Sequence, residues 1–122
     1  MSSLKVLLVD DEEDLVSALA DRLAFRDIEA KCALNGAKAI EMVRKEAFDV
    51  VVLDLKLPGM SGDEVFDVIK RERPGLPVIL ITGHGAPPEE LAGESRERAD
   101  LLEKPVDLEV LLQKIKEAAK KG

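Results

Sequence analysis

The sequence predicts an α/β protein whose doubly wound, five-stranded parallel sheet has the order 2-1-3-4-5 and carries helices on both faces. Five strand-like segments alternate with helical patterns, an arrangement typical of parallel sheets. The segments are LKVLLVD, IEAKCAL, FDVVVLD, LPVILIT and ADLLEK. The first contains the run LKVLLV, which is apolar except for Lys5, and the third and fourth contain the continuous apolar runs VVVL and VILI; such runs are typical of central strands buried on both faces.

The second segment has a different pattern, because its apolar and polar residues alternate. Ile28, Ala30 and Cys32 are separated by Glu29 and Lys31. Such alternation is typical of a strand with one less covered face. We therefore predict that this strand lies at an edge of the sheet, as the order 2-1-3-4-5 requires.

The segments between the predicted strands have the periodicity of α-helices. Apolar residues recur every three or four positions at Leu15, Leu19 and Leu23 and at Ala37, Ile40 and Val43, predicting the inward faces of the first two helices. Ser61 and Glu64 predict a capping box for the third helix, and Asp107 predicts the cap of the last one. The segment PPEELAGESRERA has few apolar residues, so the fourth helix should be the least firmly held.

Composition restricts the class of protein. A chain of 122 residues is long enough for one domain with a core, so residues 1–122 are interpreted as a single domain. The formal net charge of -7 argues against direct nucleic-acid binding, which needs clustered Lys and Arg. No apolar stretch approaches membrane-spanning length, and the single Cys32 suits a reducing cytoplasm.

Polar side chains follow four of the predicted strands. They are Asp10 and Asp11 after the first strand, Asp54 after the third, Thr82 after the fourth and Lys104 after the fifth. Because the carboxyl ends of parallel strands share one edge, we expect these side chains to converge. Converging carboxylates repel one another unless a cation is present, and oxygen ligands suit Mg²⁺. An ammonium and a hydroxyl could also bind phosphate oxygens.

Each of these residues also has a purely structural interpretation. The acidic run from Asp10 to Asp14 could stabilise the start of a helix, and Asp54 could accept hydrogen bonds from the following loop. Thr82 could be a turn residue and Lys104 an exposed lysine. Their joint placement at strand ends favours a functional site, since no single structural need predicts it.

Four motifs together resemble the receiver domain of bacterial two-component response regulators. VDDEEDL, LDLKLPGMSG, ITGHG and LLEKP occur in the family's order and spacing, and the resemblance covers essentially the whole chain. It implies a doubly wound (βα)5 flavodoxin-like fold and a phosphorylation-dependent signalling switch. The domain would act alone or as the N-terminal domain of a longer regulator.

The resemblance also implies roles for individual residues. Asp54 would be the phosphoacceptor, taking a phosphoryl group from a phosphohistidine of a sensor histidine kinase or a histidine phosphotransfer protein. Asp10, Asp11, Asp54 and the backbone carbonyl of Lys56 would hold Mg²⁺. The protein would catalyse its own phosphoryl transfer and autodephosphorylation without being a turnover enzyme.

Further expectations concern the response to phosphorylation. Thr82 would move toward the phosphoryl oxygens and Lys104 would pair with one of them, with a cis peptide bond between Lys104 and Pro105. The fourth helix, fifth strand and fifth helix would form the surface for an output domain or target protein, and phosphorylation could drive dimerisation. His84 could influence water that attacks the phosphoryl group.

Two features leave alternatives open. Leu101 stands where receivers usually carry Tyr or Phe, which weakly favours a pseudo-receiver acting as a phosphorylation-independent interaction module. A Mg²⁺-dependent phosphohydrolase is disfavoured, since Lys56 replaces an expected Asp and the chain has no room for a cap domain. A dinucleotide-binding interpretation fails because VDDEED contains no glycine.

Overall fold

A computed structural model of the protein describes residues 4–83 and 100–121. Its strands are β1 (Leu4–Val9), β2 (Ile28–Ala33), β3 (Val50–Asp54), β4 (Val78–Thr82) and β5 (Asp100–Glu103). All neighbouring strands pair in parallel, in the order β2-β1-β3-β4-β5. The predicted sheet order is therefore confirmed, and the alternating strand β2 does lie at an edge.

Four helices belong to the described part of the chain: α1 (Glu13–Ala24), α2 (Gly36–Lys45), α3 (Gly62–Glu72) and α4 (Leu108–Lys121). The predicted fourth helix, PPEELAGESRERA, and His84 lie outside the described residues. Helix α4 is therefore the one that the sequence predicted as the fifth helix. Among the helices that the structure describes, none is both long enough and apolar enough to cross a membrane.

Within residues 4–83 and 100–121, the core consists of two apolar clusters, one on each face of the sheet. Leu7 and Val9 of β1 pack in the cluster that includes residues of α2 and α3. Val6 and Leu8 of the same strand pack in the cluster that includes residues of α1 and α4. Because successive side chains of a strand point to opposite faces, both faces of this central strand are buried, as its mostly apolar sequence predicted.

The predicted caps are present. The Ser61 hydroxyl accepts a hydrogen bond from the Glu64 N–H at 3.2 Å, and the Glu64 carboxylate accepts from the Ser61 N–H at 3.4 Å. Asp107 accepts from the N–H groups of Glu109 and Val110 at the start of α4. These side chains satisfy backbone donors that have no partner inside their helices.

The predicted inward faces of α1 and α2 are confirmed at Leu19, Leu23, Ile40 and Val43 but wrong at Leu15 and Ala37. Leu15 is 40% exposed, because the inward face of α1 is formed by Val16, Leu19, Ala20 and Leu23. Ala37 is also exposed, whereas Gly36, Ala39, Ile40 and Val43 of α2 are buried. In both helices, apolar residues recur every three or four positions on more than one face. The position of the sheet decides which of these faces is buried.

Candidate functional site

The strand ends bring the predicted polar residues to one edge of the sheet. Asp54 and Thr82 are the last residues of β3 and β4, while Asp10 and Lys104 directly follow β1 and β5. The Asp10 N–H donates to the Ala33 carbonyl at 3.1 Å, and the Lys104 N–H donates to the Thr82 carbonyl at 2.9 Å. Sheet-like hydrogen bonding therefore continues to the residues of the site and fixes their backbone.

Three carboxylates converge there, as predicted: Asp10, Asp11 and Asp54 each offer an oxygen within 4.8 Å of the others. Asp10 and Asp54 are buried, whereas Asp11 is exposed. Burial raises the pKa of Asp10, and the negative charge of Asp54 adds to this rise, although the Glu12 N–H and Lys104 oppose it. A divalent cation would relieve this unfavourable concentration of charge, so the oxygen donors fit a hard cation.

The Lys104 ammonium is the positive charge that the structure places among these acids. Its Nζ lies 2.8 Å from Asp54 Oδ2, 3.5 Å from Asp10 Oδ2 and 3.4 Å from Glu12 Oε1. Burial acts to lower the pKa of Lys104, but the hydrogen bond and charge of Asp54, with Asp10 and Glu12, raise it overall. Lys104 therefore stays protonated and can bind an anionic group at this edge.

Asp54 is held at both carboxylate oxygens. Oδ1 accepts a hydrogen bond from the Lys56 N–H at 3.0 Å, and Oδ2 accepts one from Lys104. The Lys56 side chain is exposed and borders a shallow depression of about 520 Å³ that also includes Asp11 and Pro58. The described contact of Lys56 with Asp54 is through its N–H, and metal binding by its carbonyl stays a prediction.

Thr82 and the Lys104–Pro105 bond complete the edge. Thr82 is buried, and its hydroxyl donates to the Leu102 carbonyl at 3.5 Å, so this hydroxyl faces β5. The Lys104–Pro105 peptide is cis, as the resemblance implied. Leu101 is partly buried and packs against the cluster of the α2 and α3 face, so its side chain is already directed inward.

Two residues that the sequence interpretation did not single out contribute to the site. A Cβ atom on Gly62 would lie 2.4 Å from Leu55 Cα and 2.6 Å from the Asp54 carbonyl oxygen, so only glycine fits there. The Glu12 carboxylate contacts Lys104 from the N-cap position of α1. Its residue type could have drawn attention to Glu12. N-cap residues are usually Asn, Asp, Ser or Thr, so a glutamate at this position suggests that its side chain does something other than cap the helix.

Fold and site together define a class of protein. A doubly wound parallel sheet carries at its carboxyl edge a buried aspartate held by a lysine, beside two further aspartates. This edge is where open α/β sheets bind ligands. The arrangement is suited to binding a divalent cation and an anionic group together.

Comparison with known proteins identifies the family. Residues 6–116 match the model of the response regulator receiver domain, and the chain belongs to this family of two-component signalling proteins. It is 35% identical over 113 residues to the transcriptional regulatory protein GlrR of Escherichia coli, covering 93% of this chain and 26% of GlrR. It is 31% identical over 122 residues to the transcriptional regulatory protein TcrA of Mycobacterium tuberculosis, covering 100% of this chain and 48% of TcrA.

The structural comparison gives the same family. The fold is similar to a response regulator receiver domain protein from Methanospirillum hungatei JF-1, with a TM-score of 0.89 and 28% identity over 98% of this chain and 96% of that one. The chain spans between about a quarter and a half of the length of GlrR and TcrA.

Proposed function

We propose that the protein is a phosphorylation-dependent switch in which Asp54 accepts a phosphoryl group. The observation that carries this proposal is the setting of Asp54: it is buried, bound by Lys104 at 2.8 Å and clustered with Asp10 and Asp11. Phosphoryl transfer depends mainly on positioning and on neutralising the phosphoryl oxygens, and this setting supplies both.

The proposed reaction begins from a phosphohistidine. An oxygen of the Asp54 carboxylate attacks the phosphorus, the P–N bond breaks, and the imidazole leaves with the electron pair and takes up a proton. The product is an acyl phosphate on Asp54. Water later attacks the phosphorus, the carboxylate leaves, and inorganic phosphate is released, so the protein returns to its original state without turning over a separate substrate.

The residues around Asp54 have distinct tasks in this proposal. The Lys56 N–H orients one carboxylate oxygen, and Lys104 supplies a fixed positive charge for a phosphoryl oxygen. Asp10, Asp11 and Asp54, with the Lys56 carbonyl, would hold Mg²⁺. The bound ion would neutralise negative charge on the phosphoryl oxygens.

Partners follow from the same chemistry. The donor would be a sensor histidine kinase or a histidine phosphotransfer protein, and the setting would be the cytoplasm. Because GlrR and TcrA are transcriptional regulatory proteins longer than this chain, we propose that the domain controls an output domain or a separate target protein. Phosphorylation-dependent dimerisation is one way in which such control could operate.

The test is intact mass spectrometry after incubation with Mg²⁺ and acetyl phosphate. We expect a mass gain of one phosphoryl group in the wild type and in Asp49→Asn, an exposed aspartate just before β3. The gain should be absent in Asp54→Asn and in the presence of a chelator. A folded wild-type protein that gains no mass would contradict the proposal and favour a phosphorylation-independent interaction module.

A further inference from the structure

Glu12 occupies the N-cap position of α1 but does not cap the helix. Its side chain accepts no hydrogen bond from the first turn of α1. Instead, the carboxylate, which is 62% exposed, lies 3.4 Å from the Lys104 ammonium beyond β5. The Glu12 N–H donates to Asp10 Oδ1 at 3.0 Å, so the residue contacts the site through both backbone and side chain.

Glu12 differs from the other two carboxylates that contact Lys104. Asp10 and Asp54 belong to the cluster whose oxygens lie within 4.8 Å of one another and could hold a cation. Glu12 is outside that cluster, although it approaches the ammonium as closely as Asp10 does. A cation bound by Asp10 and Asp54 would compete with Lys104 for those carboxylates, but not for Glu12.

We propose that Glu12 is a positioning residue for Lys104. It holds the ammonium at the rim of the site when a divalent cation neutralises Asp10 and Asp54, and so reduces competition between lysine and metal. This inference rests on the proposed function only in taking Mg²⁺ as the cation. It concerns the charge distribution around Lys104 and does not require transfer to Asp54.

The expected effect is modest, because the Glu12 carboxylate is largely exposed. Exposed ion pairs are weak, and the loss of one changes a binding constant by at most about five-fold. Without Glu12, Lys104 would be drawn more strongly to Asp54 and Asp10. We therefore expect Glu12→Gln to raise the Mg²⁺ dissociation constant by about three-fold.

Isothermal titration with Mg²⁺ measures this effect, with Glu13→Gln as the matched control. Glu13 is the next residue, is exposed and lies in the first turn of α1, so its replacement also removes one negative charge from the helix start. We expect Glu13→Gln to weaken Mg²⁺ binding clearly less than Glu12→Gln. Equal effects of the two substitutions would overturn the proposal.

A double-mutant cycle tests whether Glu12 acts through Lys104. In a Lys104→Met background, Glu12→Gln should weaken Mg²⁺ binding no more than Glu13→Gln does. If Glu12→Gln still weakens Mg²⁺ binding more than Glu13→Gln does when Lys104 is absent, Glu12 acts directly on the cation. That result would overturn the positioning role.

Two further measurements distinguish the positioning of Lys104 by Glu12 from an effect of residue 12 on the stability of α1 and from the phosphorylation of Asp54. Glu12→Ser provides a capping hydroxyl, so it should raise the melting temperature while weakening Mg²⁺ binding as Glu12→Gln does. The NMR signal of the Lys104 ammonium, measured without metal, should shift in Glu12→Gln and not in Glu13→Gln. An unchanged signal would overturn the proposal even if Asp54 is phosphorylated, and the shift would support it even if Asp54 is not.

Discussion

The chemistry of the site depends on how single side chains share charge. Asp54 is buried at the end of β3, and the nearest cationic atom in its described contacts is Lys104 Nζ at 2.8 Å. The same ammonium contacts Asp10 and Glu12. One lysine therefore compensates several acids, and any added cation or phosphoryl group must change this distribution.

Thr82 gives a prediction at the residue scale. Thr82→Val keeps the shape of the side chain and removes one long hydrogen bond to Leu102, so it should lower the free energy of unfolding by less than about 1 kcal/mol. Asp54 phosphorylation should still occur, because the described hydrogen bond of the hydroxyl is to the Leu102 carbonyl and not to Asp54. Amide NMR spectra should show smaller phosphorylation-induced changes in β4 and β5 than in the wild type, and changes of wild-type size would contradict a role for the hydroxyl.

Single residues also show what the sequence could predict. Asp10, Asp11, Asp54, Thr82 and Lys104 were placed at one edge because parallel strands fix where their ends lie. The contact of Glu12 with Lys104 was not predictable in this way, because Glu12 lies beyond the end of β1, at the N-cap position of α1. Such a contact depends on side-chain conformations that no local pattern specifies.

At the scale of elements, the connection from β3 to α3 holds Asp54 in place. The Leu55 N–H donates to the Ile81 carbonyl at 3.0 Å, and the Gly62 N–H donates to the Leu55 carbonyl at 2.8 Å. The start of α3 therefore lies directly against the residue after Asp54. This close approach explains why position 62 has no room for a Cβ atom.

The corresponding prediction compares two glycines. Gly62→Ala should reduce the free energy of unfolding by about 1–3 kcal/mol, because the added methyl group meets backbone atoms of Asp54 and Leu55. Gly75→Ala is the control, since a Cβ atom there has no neighbour within 4 Å, and its effect should stay within about 0.5 kcal/mol. Urea unfolding of both variants measures the difference, and equal stabilities would contradict the close packing at Gly62.

Elements differ in how well the sequence specified them. The capping box at Ser61 was predictable because both partners lie within one helical turn. The inward face of α1 was predicted only in part: Leu15 fits the helical period, but the sheet lies on the side of Val16 and Leu23. Periodicity identifies a helix, whereas tertiary packing selects the buried stripe.

At the scale of the whole molecule, an ion-pair network connects elements outside the candidate site. The Glu46 carboxylate accepts hydrogen bonds from Lys5 of β1 at 2.8 Å and from Lys31 of β2 at 2.7 Å, and Glu46 itself caps the end of α2. The hydrogen bond from Lys31, then that from Lys5, lowers the pKa of Glu46 to about 2. This network links the edge strand to the centre of the sheet.

The lowered pKa gives a prediction about pH. Because the pKa of Glu46 falls from 4.5 to about 2 on folding, its contribution to stability is present above about pH 4.5 and is lost as the pH falls toward 2. Glu46→Gln should therefore be less stable than the wild type at neutral pH, and the difference should shrink in acid.

Urea unfolding at neutral pH and in acid checks this prediction. Glu41→Gln is the control, because Glu41 forms an exposed ion pair with Lys45 one turn further along α2. The stability difference between this variant and the wild type should depend less on pH. A difference between Glu46→Gln and the wild type that is independent of pH would contradict the assigned ion pairs.

The central claim is that Asp54 carries the phosphoryl group, and chemical trapping tests it most directly. Borohydride reduces an acyl phosphate to an alcohol and thereby converts a phosphorylated aspartate into homoserine. After treatment with Mg²⁺, acetyl phosphate and borohydride, peptide sequencing by mass spectrometry should find homoserine at position 54 and aspartate at positions 10, 11 and 49. Homoserine at another aspartate, with position 54 unchanged, would contradict the account.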